Sequence, residues 1–145
     1  DKALQAKLRN PEFLRGPVRQ FLTKAVILLE ANTKKATPVD TGRLRASITH
    51  KVEPFRAIVG TNVQYASVVE FGSRPHWPPL AALQPWAQRH GFPAGPRGAF
   101  LVARAIARRG TRARRMFQTG MEQSRGQIMQ MWHSVGTQIT AQWRR

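Results

Sequence analysis

The spacing of the apolar residues changes once, near position 40, and that change constrains the fold more than any other feature of the chain. Before it, Val18, Phe21, Leu22, Ala25, Leu28 and Leu29 recur at three and four, while Arg19, Lys24, Lys34 and Lys35 lie largely off the stripe. This is the pattern of a helix with one inward face. The helix is expected to begin around Pro17, where proline suits a first turn, and to end at Pro38. Residues 2–9 read as a shorter helix interrupted near Asn10 and Pro11. After the change, Ile48, His50 and Val52 alternate with Ser47, Thr49, Lys51 and Glu53, which predicts a strand over 46–53. Asp40, Thr41 and Gly42 supply the turn between the two periods. Residues 54–56 turn the chain into 57–61, so the two segments predict an antiparallel hairpin.

Residues 64–71 fit a strand or a short helix equally well. Ser73 to Pro79 holds three prolines in seven residues, which blocks both helix and ladder. A helix over 80–90 and another from about Ala99 to Arg108 are separated by a break at Gly91 to Gly98 and closed by Gly110. Over 113–143, Phe117, Met121, Ile128, Met131, Trp132, Val135 and Ile139 fit one long amphipathic helix. Its glycines, Gly120, Gly126 and Gly136, each cost about 1 kcal/mol relative to alanine, so they imply kinks, close helix contacts or a shape settled on assembly. The whole predicts an α+β fold: a long N-terminal helix packed on a small antiparallel sheet, with a helical C-terminal part including a long terminal helix. At 145 residues and 41% hydrophobic content one domain suffices, with residues 1–110 as an α+β body and 111–145 as a C-terminal helical extension.

Charge narrows the partners. The chain has 24 Lys plus Arg against 7 Asp plus Glu, for a net charge of +17. Residues 1–73 carry twelve basic and six acidic side chains, whereas 74–145 carry twelve arginines and one acid, Glu122. Such a field attracts nucleic acid, an anionic surface or an acidic protein, and net charge does not choose among them. Arg97, Arg104 and Arg108, spaced by seven and four, share one helix face, joined by Arg109, Arg112, Arg114 and Arg115 just beyond. A merely solvated face normally interleaves acids, so the cluster reads as a contact for DNA phosphates or an acidic neighbour. No helix-turn-helix, zinc finger or stacking platform is present to read bases.

Other chemistry is poorly represented. There is no cysteine, hence no disulfide, thiolate nucleophile or usual structural zinc site, which fits a cytosolic origin. No run reaches the roughly 18 apolar residues of a membrane span, and no signal peptide opens the chain. His50, His76, His90 and His133 lack the close pairing of a metal site. Walker loops, nucleophile elbows and dinucleotide fingerprints are missing. Asp40-Thr41-Gly42 is the tripeptide of aspartic proteases, but here it follows a helix and precedes Arg43-Leu44-Arg45 instead of lying in apolar strand sequence, so Asp40 reads as a turn or capping residue. No enzyme, cofactor, metal or small-molecule substrate is expected. Of Trp77, Trp86, Trp132 and Trp143, core placement competes with subunit interface; Trp132 and Trp143 are the interface candidates, and Trp143 lies beside Arg144 and Arg145.

Three ordered segments then stand together: Pro38 to Ile48 (PVDTGRLRASI), Val59 to Ala66 (VGTNVQYA) and Val69 to Gly72 (VEFG). In order and spacing they resemble the small tail-component family of long-tailed bacteriophages, neck or tail-completion proteins encoded among the head-to-tail joining genes. Residues 72–79 and 110–117 are similar to further family features, so the resemblance touches about 17–125. It implies a structural virion protein: a homo-oligomeric ring in the head–tail neck, between a head-closure protein and the tail terminator. The ring would surround double-stranded DNA at genome ejection, and would assemble in the host cytoplasm. It implies structural roles for Asp40, Thr41, Gly42, Leu44, Ser47, Gly60, Tyr65, Glu70, Phe71 and Gly72. Asp40, Thr41 and Gly42 would fix the helix-to-strand turn, and Tyr65, Glu70, Phe71 and Gly72 would anchor the segment beside the sheet. Family members often place a strand before the first helix and this sequence shows none there; nor does the family account for the arginine excess. The rival reading from another class is a non-specific double-stranded DNA-binding protein working through the arginine-rich half.

Overall fold

A computed structural model describes residues 11–143, with side chains described from 14 to 141. The short helix expected over 2–9 lies outside the described residues. Helix α1 spans Pro11–Ala36. It starts six residues before Pro17, which removes only the hydrogen bond to the carbonyl of residue 13 and does not end the helix. Gly42 then adopts φ 84°, a left-handed conformation open to glycine at little cost, and opens α2, Arg43–Ser47. The strand expected from residue 46 is therefore shorter: Ala46 donates its N–H to the Gly42 carbonyl at 2.9 Å and belongs to the helix. The hydroxyl of Ser47 bonds back to the Leu44 carbonyl at 2.7 Å and closes the turn.

Strands β1, Thr49–Val52, and β2, Ala57–Gly60, pair antiparallel, with Thr49 opposite Gly60 and Val52 opposite Ala57. Glu53 N–H to the Arg56 carbonyl at 2.7 Å closes the loop. Residues 64–71 resolve as helix α3, Ala66–Phe71. Helices α4, Leu80–Arg89, and α5, Pro96–Arg109, pack mainly on each other. Helix α6 spans Met116–Trp143.

The terminal helix runs along α1 instead of extending away from the body. Thr37 meets Met116, Asn32 meets Ser124 and Phe21 meets Trp132, so one number rises as the other falls and the helices are antiparallel. Each is about 40 Å long at 1.5 Å per residue. The pairing is closest at Gly120, where a Cβ would lie 2.8 Å from the Thr33 Cα. Of the three glycines flagged in this helix, Gly120 marks a close contact; Gly126 and Gly136 have nothing within 4 Å of a Cβ position.

Helix α1 thus lies between the hairpin and α6. It buries Ala25, Val26 and Thr33, with Thr37 buried just past its end, and serving two neighbours spreads its apolar residues beyond a single stripe. The densest packing lies where α1 ends and α6 begins. There Leu44, Val63, Ala66 and Met116 form one cluster, flanked by Ala36, Val69 and Phe117. Burying a side chain of this size stabilises the fold by about 1.5–3 kcal/mol.

Candidate functional site

The three motif segments converge on the start of α6. Helix α6 needs an acceptor for the free N–H groups of its first turn, and the residue before it is Arg115, at φ 50°, which has none to offer. Glu70, only 7% exposed, supplies it from α3. Its carboxylate accepts the N–H of Phe117 at 2.9 Å and of Gln118 at 3.2 Å, and its charge complements the positive end of the helix dipole. The Glu70 carbonyl takes the Arg115 N–H at 3.1 Å, and that of Val69 takes the Arg114 N–H at 2.8 Å.

Beside this cap two chain segments cross. Ser73 and Thr111 form an antiparallel bridge, Ser73 N–H to the Thr111 carbonyl at 3.1 Å and Thr111 N–H to the Ser73 carbonyl at 3.2 Å. So Ser73, expected in a loop without ladder bonds, makes them; Thr111 also donates its hydroxyl to that of Ser73 at 2.9 Å. The crossing demands glycine on both strands. A Cβ on Gly72 (φ 74°) would sit 2.4 Å from the Thr111 carbonyl oxygen, and one on Gly110 (φ 70°) 2.0 Å from that of Ser73.

Asp40 lies in the turn but does not cap the helix that follows. The cap position of α2 belongs to Gly42, with no side-chain hydrogen bond. The Asp40 carboxylate instead takes both Nε and an Nη of Arg89, at 2.9 and 2.5 Å, and so ties the turn to the end of α4. These hydrogen bonds hold the Asp40 carboxyl below its ordinary value and raise Arg89. Thr41 keeps a turn role, its hydroxyl accepting the Arg43 N–H at 3.5 Å. Leu44 is core, and the Ser47 and Thr61 hydroxyls bond each other at 2.6 Å, linking α2 to the end of β2. Nothing in the structure explains a glycine at position 60.

Tyr65 and Phe71 do not anchor the segment by their side chains. Tyr65 is 45% exposed and Phe71 80%; with Val68 at 42% they follow one another at intervals of three from the cap of α3 to its last residue. Their neighbours Ala66 and Glu70 take the inward positions, so these three rings and branches face out. A second exposed apolar stretch on α6 contains Met121, Met129 and Trp132, the last with its ring edge-on to Phe21 at 5.1 Å between centroids. Trp77 and Trp86 are also partly exposed, Trp77 against Phe100 and Trp86 stacked on His90. The side chain of Trp143 lies outside the described residues.

The arginines Arg97, Arg104 and Arg108 do share one exposed face of α5, opposite the buried Gly98, Ala99, Val102 and Ala103. Arg109 sits at the side of that helix. Arg112, Arg114 and Arg115 follow in the extended link to α6, which begins at Met116 and not at 113 because Arg115 turns to positive φ. All seven are exposed, and none forms an ion pair with a described residue.

The acids are placed elsewhere. Glu30 binds Lys34 at 2.5 Å and the ring of His50; the Lys34 hydrogen bond first, then that of His50, holds its carboxyl below the ordinary value. Glu53 is lowered likewise by Lys51 and then Arg56. Among the described residues no group of three or more His, Cys, Asp or Glu is placed to hold a metal ion, and no helix is long and apolar enough to cross a membrane.

What fold and site define is an α+β protein built on an antiparallel helix pair, its short elements locked to the start of the terminal helix by a buried carboxylate and a glycine crossing. Residues 16–72 of this framework match the HK97-gp10-like family, described as "Bacteriophage HK97-gp10, putative tail-component". The match supports a structural tail protein of a bacteriophage virion. It contains all ten motif residues from Asp40 to Gly72; the arginine surface and α6 lie beyond it. Comparison with curated proteins and with solved structures gave no match.

Proposed function

We propose that the chain is a ring-forming component of the phage neck, a tail-completion protein seated between the head-closure protein and the tail terminator around the path of the DNA. The observation that carries this reading is the family match over residues 16–72. The surface supports it. A closed ring uses heterologous contacts, in which one face of a subunit meets a different face of the next. The chain offers two separate exposed apolar faces: Tyr65, Val68 and Phe71 on α3, and Met121, Met129 and Trp132 on α6.

Inactivating the gene in the phage tests this directly. Lysates examined by electron microscopy are expected to contain filled heads and separate tails that do not join, and purified wild-type virions are expected to contain the chain. Joined, infectious particles from the null phage would sink the proposal. The seven unpaired arginines favour a second reading, a DNA-binding protein outside the virion. It predicts that the chain is absent from purified virions and that joining proceeds without it.

A further inference from the structure

We propose that the arginine surface of α5 and the link to α6 binds the phosphate backbone of double-stranded DNA without reading bases, and is not a contact between copies of the chain. The proposal deepens the structural reading and rests on it only for the source of the DNA.

A homotypic interface would need carboxylates from the neighbouring copy, and the chain has seven. Glu30, Asp40 and Glu53 already hold cations, and Glu70 is buried against the first turn of α6. Among the described residues that leaves Glu122, which accepts a hydrogen bond from the neutral side chain of Gln118. Even with Asp1 and Glu12, whose side chains lie outside the described residues, a second copy would bring at most three carboxylates to seven guanidinium groups. At +17 per subunit, a ring would concentrate positive charge further, and the surface needs a polyanion from outside.

The kind of cation and its arrangement also point to phosphate. From Phe71 to Met121 there is no acidic residue, and every basic residue after position 73 is arginine, although the first half contains six lysines. Guanidinium is the cation whose planar fork matches phosphate oxygens in pairs. Arg97 to Arg108 span about 16 Å of helix, the axial rise of roughly five phosphates on one DNA strand. A protein partner would have to present an equal run of unpaired carboxylates, whereas a duplex presents phosphates all along its length. The groove beside Arg109 and Arg112 is lined mainly by apolar groups such as Trp86, Phe92, Leu101 and Ile106, and no Asn or Gln stands among residues 97–115, so the surface suits backbone contact and not base readout.

Among the described residues the fold also keeps this surface free. Arg89 is the arginine on the same helical hairpin that does have a partner, and that partner, Asp40, holds the hairpin to the body. Fixing the hairpin with one arginine leaves the remaining ones pointed at solvent.

The test uses the full-length protein and a random-sequence duplex of about 30 base pairs, with binding followed by fluorescence anisotropy across a salt series. The wild-type chain is expected to bind at about 50 mM salt, with log K falling against log salt more steeply than about −3. Changing Arg97, Arg104 and Arg108 to Gln is expected to flatten that slope by about 2.7, from about 0.9 per phosphate contact. Changing Arg19, Lys24 and Lys35 to Gln removes the same charge elsewhere and is expected to leave the slope within one contact of wild type. Poly-glutamate, standing for an acidic protein, is expected to compete poorly. No duplex binding, equal slopes for the two triple variants, or poly-glutamate binding as tight as duplex would each overturn the proposal. Failure of the neck reading shows separately, as absence of the chain from virions.

Discussion

The Glu70 carboxylate accepts the backbone N–H of Phe117 at 2.9 Å, so a residue of α3 caps a helix that starts 46 positions later in the chain. Removing it leaves two partly buried N–H groups without their acceptor. Glu70→Ala is expected to destabilise the protein by about 1–3 kcal/mol, and Glu70→Gln, which keeps one acceptor oxygen, by less. Urea denaturation of both variants checks the order; equal midpoints for Glu70→Ala and wild type would remove the cap from the account.

Glycine substitutions should divide by what a Cβ meets. Gly72→Ala and Gly110→Ala place it on a backbone oxygen at positive φ, and Gly120→Ala drives it into the Thr33 backbone. Each is expected to cost more than about 1 kcal/mol. Gly126→Ala and Gly136→Ala meet nothing within 4 Å, and as exposed helix positions they are expected to gain up to about 1 kcal/mol. Thermal melts of the five variants decide it, and the scheme fails if the two groups overlap.

Acid should loosen the fold through three carboxylates. Glu30, Asp40 and Glu53 are held below ordinary values of 4.5, 3.8 and 4.5. A carboxyl lowered in the folded state adds stability that is complete above its unfolded value and is lost as pH falls through the folded one. The melting temperature is therefore expected to stay level down to about pH 5 and to drop below pH 4.5 as these groups protonate. Arg89→Gln should remove the Asp40 share of that drop, and salt should shrink it, because the pair is partly exposed. A profile for Arg89→Gln identical to wild type would show that the pair contributes nothing.

The sequence reading succeeds where local periodicity determines structure and fails where distant chain segments meet. The three-and-four spacing of Val18 to Leu29 marks α1, and the seven-and-four spacing of Arg97, Arg104 and Arg108 marks one face, because both are intrinsic to helix geometry. The Asp40 to Arg89 pair joins positions 49 apart, and no spacing rule reaches it. Glu70 left a faint trace. No Ser, Thr, Asp or Asn precedes Met116 to cap it, which leaves the acceptor to come from elsewhere. The start of α6 at 116 instead of 113 follows from backbone bonds to Val69 and Glu70, again long-range. The start of α1 at Pro11 shows the converse error, a proline read as a boundary although near a helix start it removes only one hydrogen bond.

Phe71 tests whether the family motif includes a contact surface as well as a scaffold. Its ring is 80% exposed, so burial within the subunit gives little reason for an aromatic residue there. Phe71→Ser is expected to change stability by no more than about 0.5 kcal/mol, as for a surface substitution. Its effect should appear on assembly, because an exposed aromatic that becomes buried between subunits is the kind of residue that dominates binding energy. If the chain forms the proposed neck ring, particles grown with Phe71→Ser as the sole copy are expected to lack the protein by mass spectrometry and to show unjoined heads and tails, with Phe71→Leu restoring part of the yield. A Phe71→Ser phage of normal infectivity and composition would place the ring contact elsewhere, and the face on α6 around Trp132 would be the next to mutate.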